Sequence, residues 1–240
     1  LSPSNHPVDK LYGPLTGGQT SLTGFVDKLS TIPLRFDPGT NWCYSLATDV
    51  CGALVEIISG QPFSEFLGKR LFEPLDMSDT SFTISDEKVP RLAANYERDQ
   101  DKNLVLIDDP VESIYADKRR LQSGGGGLLS TTADYAKFCE TLLGGGKSNG
   151  CRIIGDRTLK MMCQNHLPMN ADLASVAMGS FSETAYEGVG FGLGFASTLS
   201  EVNAHTLGEG DFYWGGMAST IFWVGTETSS ICSEMPSLEA

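Results

Sequence analysis

The chain has 240 residues, is 40% hydrophobic, and carries 30 acidic against 17 basic residues, a formal net charge of −13. Its length and apolar content suffice for one domain with a sizeable core. The acidic balance argues against nucleic acid or an anionic membrane surface as a partner, because both require clustered lysine and arginine. No apolar run approaches the roughly 20 residues of a membrane span.

The N-terminus carries neither the basic start nor the apolar stretch of a signal peptide, and it lacks an initiator Met. We therefore expect the chain to begin partway through a longer protein. Its six cysteines show no paired Cys-x-x-Cys spacing, and its three histidines are isolated from one another. This pattern predicts no metal site, disulfide framework or other cofactor. Unpaired cysteines favour a reducing, cytoplasmic compartment. The oligomeric state is left open.

Helical patterns occupy the first part of the chain. One helix is predicted from Thr20 to Ser30 behind a Thr N-cap. A second is predicted from about Ser45 to Ser59, with Gly60 ending it. A third follows Pro62 and ends before Pro74. The second helix has an apolar stripe that is expected to face the core: Leu46, Val50, Leu54, Ile57 and Ile58.

The middle of the chain is less regular. Residues 76–120 are mostly polar and turn-rich, with only short apolar pieces. A glycine-rich segment at 123–130 then leads into a helix that Ser130 is expected to cap and that three glycines at 144–146 end. A shorter helix is predicted near Arg157–Gln164.

Strand-like patterns come late, at Gly190–Thr198 and Phe212–Val224. Helices in the first two thirds and strands near the end predict an α+β fold, in which an antiparallel sheet is segregated from a helical region. We expect a single partial domain. Its parts are a mainly helical and loop region at 20–189, the strands at 190–224, and a polar tail at 225–240 without a clear period.

Several short motifs follow one another in a characteristic order, at 33–45, 60–63, 71–80, 123–130, 133–135, 190–195 and 213–220. The first contains Tyr44-Ser45-Leu46 behind a proline-glycine turn, and the last contains Tyr213-Trp214-Gly215-Gly216-Met217. This ordered set resembles the serine β-lactamase-like hydrolases, which include class C β-lactamases, D-alanyl-D-alanine carboxypeptidases and related esterases. The resemblance implies a β-lactamase/transpeptidase-like fold.

In that family, a serine attacks a carbonyl, and a lysine and a tyrosine relay its proton. The resemblance implies that Tyr44 is this general acid or base. It also implies that the backbone N–H of Met217 is one donor to the oxyanion of the intermediate. Trp214, Gly215 and Gly216 occupy the Lys-Thr-Gly positions of the family's third motif, on an edge strand. The two glycines allow a substrate carbonyl to approach the backbone.

Two positions differ from the β-lactamase pattern. Leu46 stands where β-lactamases place an Asn that binds the side-chain amide, and Trp214 stands where they place a Lys that binds the carboxylate. Both changes replace polar recognition with an apolar surface, which favours uncharged esters over penicillins and cephalosporins. The expected partner is therefore a small-molecule ester or amide substrate, with β-lactamase or carboxypeptidase activity as the alternative.

Other motif matches are interpreted as coincidental. Ser85-Asp86-Glu87-Lys88 fits Ser-x-x-Lys but lies downstream of the tyrosine in a polar loop. Gly146-Lys147-Ser148-Asn149-Gly150 fits Gly-x-Ser-x-Gly but lacks the strand-turn-helix context of a nucleophile elbow. The glycines at 124–127 indicate a close backbone crossing and not a phosphate site.

The family's nucleophile motif has no counterpart upstream of Tyr44, and its early strands and final helix are missing. We therefore expect exposed sheet edges and an incompletely covered helical face. Two interpretations follow. The chain is either a fragment of a serine hydrolase that is inactive alone for lack of the nucleophile, or a catalytically dead relative that binds a peptide or small ester.

Overall fold

The computed structural model describes residues 6–15, 21–178, 186–206, 208–226 and 229–234. The helices within these ranges, α1 to α7 in chain order, are Leu22–Leu29, Ala47–Ser59, Phe63–Leu67, Thr132–Leu143, Asp156–Cys163, Leu173–Val176 and Glu201–Ala204. The strands, β1 to β9, are Asn95–Arg98, Leu104–Asp108, Lys147–Ser148, Cys151–Arg152, Val189–Phe191, Ala196–Thr198, Phe212–Gly215, Ile221–Gly225 and Ser230–Glu234. None of these helices is long and apolar enough to cross a lipid bilayer.

The late strands form one antiparallel sheet in the order β5-β6-β7-β8-β9 across the described residues. The prediction that the Trp214–Gly216 motif lies on an edge strand is therefore wrong, because β7 is central. However, β6 does not pair with the glycine end of β7. The β6–β7 register ends at the pair Ala196–Tyr213, whereas β8 continues along β7 to pair Ile221 with Gly215. The glycine end of β7 thus extends past the end of β6.

Three strand pairings were not predicted: β8 with β9, β1 with β2, and the short hairpin β3–β4. The polar tail contributes β9, which pairs with all five residues of β8 and forms one edge of the sheet. Its sequence, Ser-Ile-Cys-Ser-Glu, shows no clear alternation, so the neighbouring strand determines its conformation more than its own composition does. In the polar excursion, β1 and β2 form an antiparallel hairpin with a register shift at Asn95 and Tyr96. Residues 227–228 and 235–240 of the tail lie outside the described residues.

The predicted bounds of α1, α2, α4 and α5 agree with the structure to within two or three residues, whereas α3 ends at Leu67 and a π-helix continues over Gly68–Phe72. The predicted caps differ from those in the structure. The hydroxyl of Ser21, and not the predicted Thr, caps α1 by accepting the N–H of Gly24 at 3.2 Å. Thr20 lies outside the described residues. The hydroxyl of Thr131, and not Ser130, caps α4 by accepting the N–H of Asp134 at 3.2 Å. Both true caps lie one residue later than predicted.

The buried face of α2 is not the predicted one. Leu54, Ile57 and Ile58 are 49%, 65% and 83% exposed. The buried residues of this helix are Asp49, Gly52 and Ala53. Small and polar residues face inward because the backbone of the glycine-rich loop at 123–127 lies directly against the helix. The exposed stripe agrees with the expectation of an incompletely covered helical face.

The main core lies between α4, α5 and the sheet. Cys139 and Leu142 of α4 and Leu159 of α5 pack against Phe212 and Val224 of the sheet. A second cluster covers the other part of the sheet around Leu173, Val189 and Ala196, with Trp42, Phe191, Tyr213 and Trp214 packed at its border. Trp214 borders both clusters, so its position depends on both.

Asp211, immediately before β7, is a fully buried carboxylate. Its Oδ1 accepts the N–H of Thr226 at 2.9 Å, while its Oδ2 has no hydrogen-bond partner among the described residues. Burial raises the pKa of this carboxyl, the hydrogen bonds from Thr226 oppose the shift, and the like charge of Glu201 adds to it. The folded state therefore holds this proton more tightly than the unfolded chain does.

This raised pKa predicts that the free energy of unfolding depends on pH. The folded pKa of Asp211 lies above the unfolded value of about 4. Ionisation of Asp211 therefore lowers the free energy of unfolding as pH rises from about 4 through the folded pKa. Asp211→Asn removes the ionisation. We expect the stability difference between variant and wild type, from urea unfolding at pH 3.5 to 7, to shift in favour of the variant as pH rises. Glu209→Gln, on the exposed part of the same loop, is the control. A difference that does not change with pH would contradict the prediction.

Candidate active site

The Tyr44 segment is held by an extended backbone bridge. The N–H of Trp42 donates to the carbonyl of Val176 at 3.0 Å, and the N–H of Met178 donates to the carbonyl of Trp42 at 2.9 Å. Tyr44 follows two residues later and lies three residues before α2. Its side chain is 39% exposed, so the phenol can reach solvent or a bound molecule.

Leu46 is the N-cap of α2. Its carbonyl accepts the N–H groups of Asp49 and Val50 at 3.1 and 3.3 Å. A leucine side chain cannot accept a capping hydrogen bond, so none is made. The first turn of the helix is secured by other contacts. The buried carboxylate of Asp49 accepts the hydroxyl of Ser123 at 2.5 Å.

The glycine-rich loop at 123–127 lies directly on this first turn. A Cβ added to Gly124 would overlap the carbonyl oxygen of Thr48 and lie 3.1 Å from the Cα of Asp49. A Cβ added to Gly52 would lie 3.3 Å from the Cα of Gly124. The crossing is therefore a backbone-to-backbone contact that only glycine permits. This agrees with the interpretation of the four glycines as a packing feature.

The structure brings Tyr44 and Trp214 together. Their rings are nearly parallel, at 11°, with centroids 6.3 Å apart. Trp42 lies edge-on to both, at 6.5 Å from Tyr44 and 6.3 Å from Trp214. Phe191 completes the group, with its ring centroid 5.2 Å from those of both tryptophans. We call Trp42, Tyr44, Phe191 and Trp214 the aromatic cluster.

The aromatic cluster adjoins the turn between β7 and β8. Gly215 pairs with Ile221, and the N–H of Gly216 donates to the carbonyl of Thr220 at 2.7 Å. Met217 follows at the tip, with a fully exposed side chain. Within the described part of the chain, the hydrogen bonds of this turn do not engage the Met217 N–H. This N–H can therefore donate to a bound molecule.

A cleft of about 300 Å³ opens beside this turn. Trp214, Gly215 and Gly216 line one wall, and Tyr135 and Phe138 of α4 line another. Burial raises the pKa of Tyr135, so its phenol stays neutral at physiological pH. The cleft is thus an uncharged, largely apolar space. Of the predicted site residues, Trp214, Gly215 and Gly216 line it, whereas Tyr44, Leu46 and Met217 do not.

The opposite side of the cleft is fixed by a buried carboxylate. Asp134 accepts the N–H of Asp79 at 2.7 Å and the hydroxyl of Thr80 at 3.0 Å. Thr80 also shares a hydrogen bond of 2.8 Å with Ser130. Lys137 lies 3.3 Å from Asp134 and balances its charge. These contacts fasten the segment at 77–80 to α4.

The coincidental motifs have structural roles. Lys88 donates to the carbonyl of Ser78 at 2.7 Å and pairs with Asp79 at 2.9 Å. Hydrogen bonds from Arg91 and Lys88 hold the pKa of Asp79 well below its usual range. The side chain of Lys88 is therefore engaged away from the exposed Ser85. The other motif forms the hairpin β3–β4, with Asn149 and Gly150 in left-handed conformations at its turn.

Trp42, Phe191 and Thr220 lie inside motifs selected from the sequence, but none of them was predicted to have a role in this region. Trp42 lies two residues before Tyr44, so period-two alternation in an extended segment could have placed both on one side. Phe191 stood inside a motif that the resemblance had already selected. The role of Thr220 arises from a contact across a turn, for which the sequence carries no comparable signal.

Comparison with known proteins assigns this architecture. The sequence model of the Beta-lactamase family matches residues 4–232. Lovastatin esterase from Penicillium rubens is 29% identical over 218 residues, which cover 86% of this chain and 53% of that protein. The chain therefore spans about half the length of this relative. The match confirms the resemblance that the ordered motifs indicated.

Solved structures give the same fold. EstCE1, described as a hydrolase with promiscuous acyltransferase activity, superposes with a TM-score of 0.74 at 26% identity and covers 95% of this chain and 60% of its own. Simvastatin synthase from Aspergillus terreus superposes with a TM-score of 0.72 at 21% identity, with coverages of 95% and 58%. These superpositions confirm the predicted α+β, β-lactamase/transpeptidase-like fold.

The loop crossing on α2 yields a stability prediction. In Gly124→Ala the new methyl group overlaps the Thr48 carbonyl, and backbone atoms on both sides must move. We expect the free energy of unfolding, from urea denaturation, to fall by about 1–3 kcal/mol. The matched control is Gly126→Ala, because no atom lies within 4 Å of the added Cβ. Equal stability of the two variants would contradict the described crossing.

Proposed function

The chain belongs to the Beta-lactamase family, and from this premise we propose that it forms the substrate side of a serine-dependent site for acyl transfer from carboxylic esters. The observation that carries the proposal is the placement of Tyr44 against Trp214, next to the Gly215-Gly216-Met217 turn and its cleft. A proton-relay group and an oxyanion donor are needed on either side of a reacting carbonyl. The nucleophile comes from a segment outside residues 1–240.

The proposed reaction has two balanced steps. The serine oxygen bonds to the ester carbonyl carbon as the bond to the leaving alcohol breaks, and the serine proton passes through Tyr44 to the departing alkoxide. Water or a second alcohol then attacks the acyl-serine, and its proton returns to the serine. The N–H of Met217 stabilises the oxyanion formed in each step.

The site favours uncharged esters over β-lactams. Leu46 and Trp214 present apolar surface where polar recognition of a β-lactam would be needed. Trp214 is held by two neighbouring rings of the aromatic cluster, so the apolar wall is rigid. The relatives named as lovastatin esterase and as a hydrolase with acyltransferase activity support an acyl ester as substrate.

The proposal is tested by hydrolysis of p-nitrophenyl butyrate. The purified chain of residues 1–240 should give no turnover and no acyl adduct by intact mass. The protein extended to include an upstream Ser-x-x-Lys should be active and carry an adduct on that serine. In the extended protein, Tyr44→Phe should lower kcat about 10²–10⁴-fold, with a smaller change in KM, because it removes the transferable proton.

Tyr96→Phe is the matched control, since Tyr96 is 41% exposed and lies on β1, outside the site. Turnover by residues 1–240 with an adduct on one of their serines would overturn the missing-nucleophile interpretation. Ester binding by the extended protein without turnover or adduct would instead identify a catalytically dead relative.

A further inference from the structure

The turn between β7 and β8 fixes the backbone of Gly216 on both sides. The N–H of Gly216 donates to the carbonyl of Thr220 at 2.7 Å, and the carbonyl of Gly216 accepts the N–H of Ser219 at 3.1 Å. Ser219 adopts a left-handed conformation, with φ of 61°, to close the turn. A serine in that region is less favourable than a glycine, so the surrounding contacts must maintain it.

These bonds also set the direction of the Met217 N–H. The carbonyl of Gly216 and the N–H of Met217 belong to one peptide group, which is planar and trans, so the two point in opposite directions. Because Ser219 holds the Gly216 carbonyl on the inner side of the turn, the Met217 N–H points away from it. Any rotation of the Gly216–Met217 peptide would therefore turn the N–H away from its present direction.

Thr220 supplies a further contact to Gly216, through its side chain. A Cβ added to Gly216 would overlap the Oγ1 of Thr220, although it would lie 3.5 Å from the Cβ of Thr220 and 3.8 Å from its carbonyl oxygen. The hydroxyl oxygen thus lies directly against the Cα of Gly216. Thr220 is β-branched, so its χ1 angle has few alternatives. The residue also lines the cleft, next to Gly215 and Gly216.

From these contacts we propose that Thr220 is a positioning residue that directs the Met217 N–H toward the reacting carbonyl. The proposal rests on the oxyanion role of Met217 in the proposed function. In this proposal Thr220 acts on the reacting carbonyl through Gly216 and the Met217 N–H, and not by its own contact with the reacting atoms. It holds Gly216 through both its carbonyl and its hydroxyl, and the peptide that follows Gly216 carries the donor.

The contact depends on the size of the hydroxyl oxygen. A methyl group is larger than an oxygen atom, so Thr220→Val pushes against the Gly216 Cα and opens the turn. Thr220→Ala leaves a gap into which Gly216 can relax. Thr220→Ser keeps the oxygen and should preserve the arrangement. Side-chain volume alone would instead rank Val closest to the wild type, so this order separates positioning from space filling.

The test uses the extended protein with p-nitrophenyl butyrate as substrate and an alkyl boronic acid as a tetrahedral mimic. Loss of one oxyanion donor lowers kcat about 10²–10³-fold. A Met217 N–H that points in the wrong direction should lower kcat by a smaller factor. We expect Thr220→Ala and Thr220→Val to lower kcat about 10–100-fold and to weaken boronic acid binding in parallel, with KM within about threefold of wild type. Thr220→Ser should restore both values. Thr132→Ala, at an exposed position on α4, is the control.

A second measurement tests the contact without catalysis. In residues 1–240, Gly216→Ala should destabilise the wild-type background more than the Thr220→Ala background, because the overlapping oxygen is then absent. Equal effects in both backgrounds would overturn the proposal, even if the Thr220 variants of the extended protein fold poorly.

The outcomes separate the two proposals. If the extended wild type hydrolyses the ester and Thr220→Ala and Thr220→Val keep their kcat, or lose only affinity in KM, the positioning role is overturned and the proposed function stands. If the extended wild type forms no acyl adduct, the proposed function is overturned and the role of Thr220 in it is overturned as well.

Discussion

The candidate site depends on the backbone crossing of the glycine-rich loop over the first turn of α2. Gly124 lies against Thr48 and Asp49, and Ser123 bonds to the buried Asp49 carboxylate. The same loop continues into α4, which packs against β8 and the core of the sheet. The crossing therefore links the helix that follows Tyr44 to the sheet that carries Trp214. The position of Tyr44 relative to Trp214 therefore depends in part on this crossing.

The second connection runs through Trp42. Its backbone bridge to residues 176–178 attaches the Tyr44 segment to the cluster around Leu173 and Val189. Its ring contacts both Phe191 and Trp214. Tyr44 is therefore located from two sides, by backbone hydrogen bonds before it and by the loop crossing after it. The proton relay proposed for Tyr44 requires such support, because small displacements change the distance from its phenol to the reacting atoms.

The sequence predicts the positions and ends of helices well, because residues close in the sequence determine them. Periodicity and a C-terminal glycine located α2, and the three glycines at 144–146 located the end of α4. The buried face of α2 could not be predicted, because hydropathy favours Leu54, Ile57 and Ile58, whereas the loop crossing requires the small residues on the other side. Likewise, the pairing of β9 could not be predicted, because this polar strand is specified by its neighbour β8. The interior position of β7 comes from its pairing with β6 on one side and β8 on the other. The resemblance identified the residues of the candidate site, whereas only the structure shows how they lie relative to one another.

The tryptophan at position 214 shows how specificity and positioning are coupled. The resemblance treats it as a replacement for a lysine that recognises a carboxylate, which concerns only the substrate. In the structure its ring contacts Trp42, Tyr44 and Phe191 and borders both core clusters. A lysine there could not supply these ring contacts, since its charged end seeks solvent. The aromatic residue that the proposed function makes part of the ester-binding wall therefore also helps to hold Tyr44. Replacing Trp214 with the lysine of the β-lactamase pattern would therefore require the surrounding aromatic cluster to change with it.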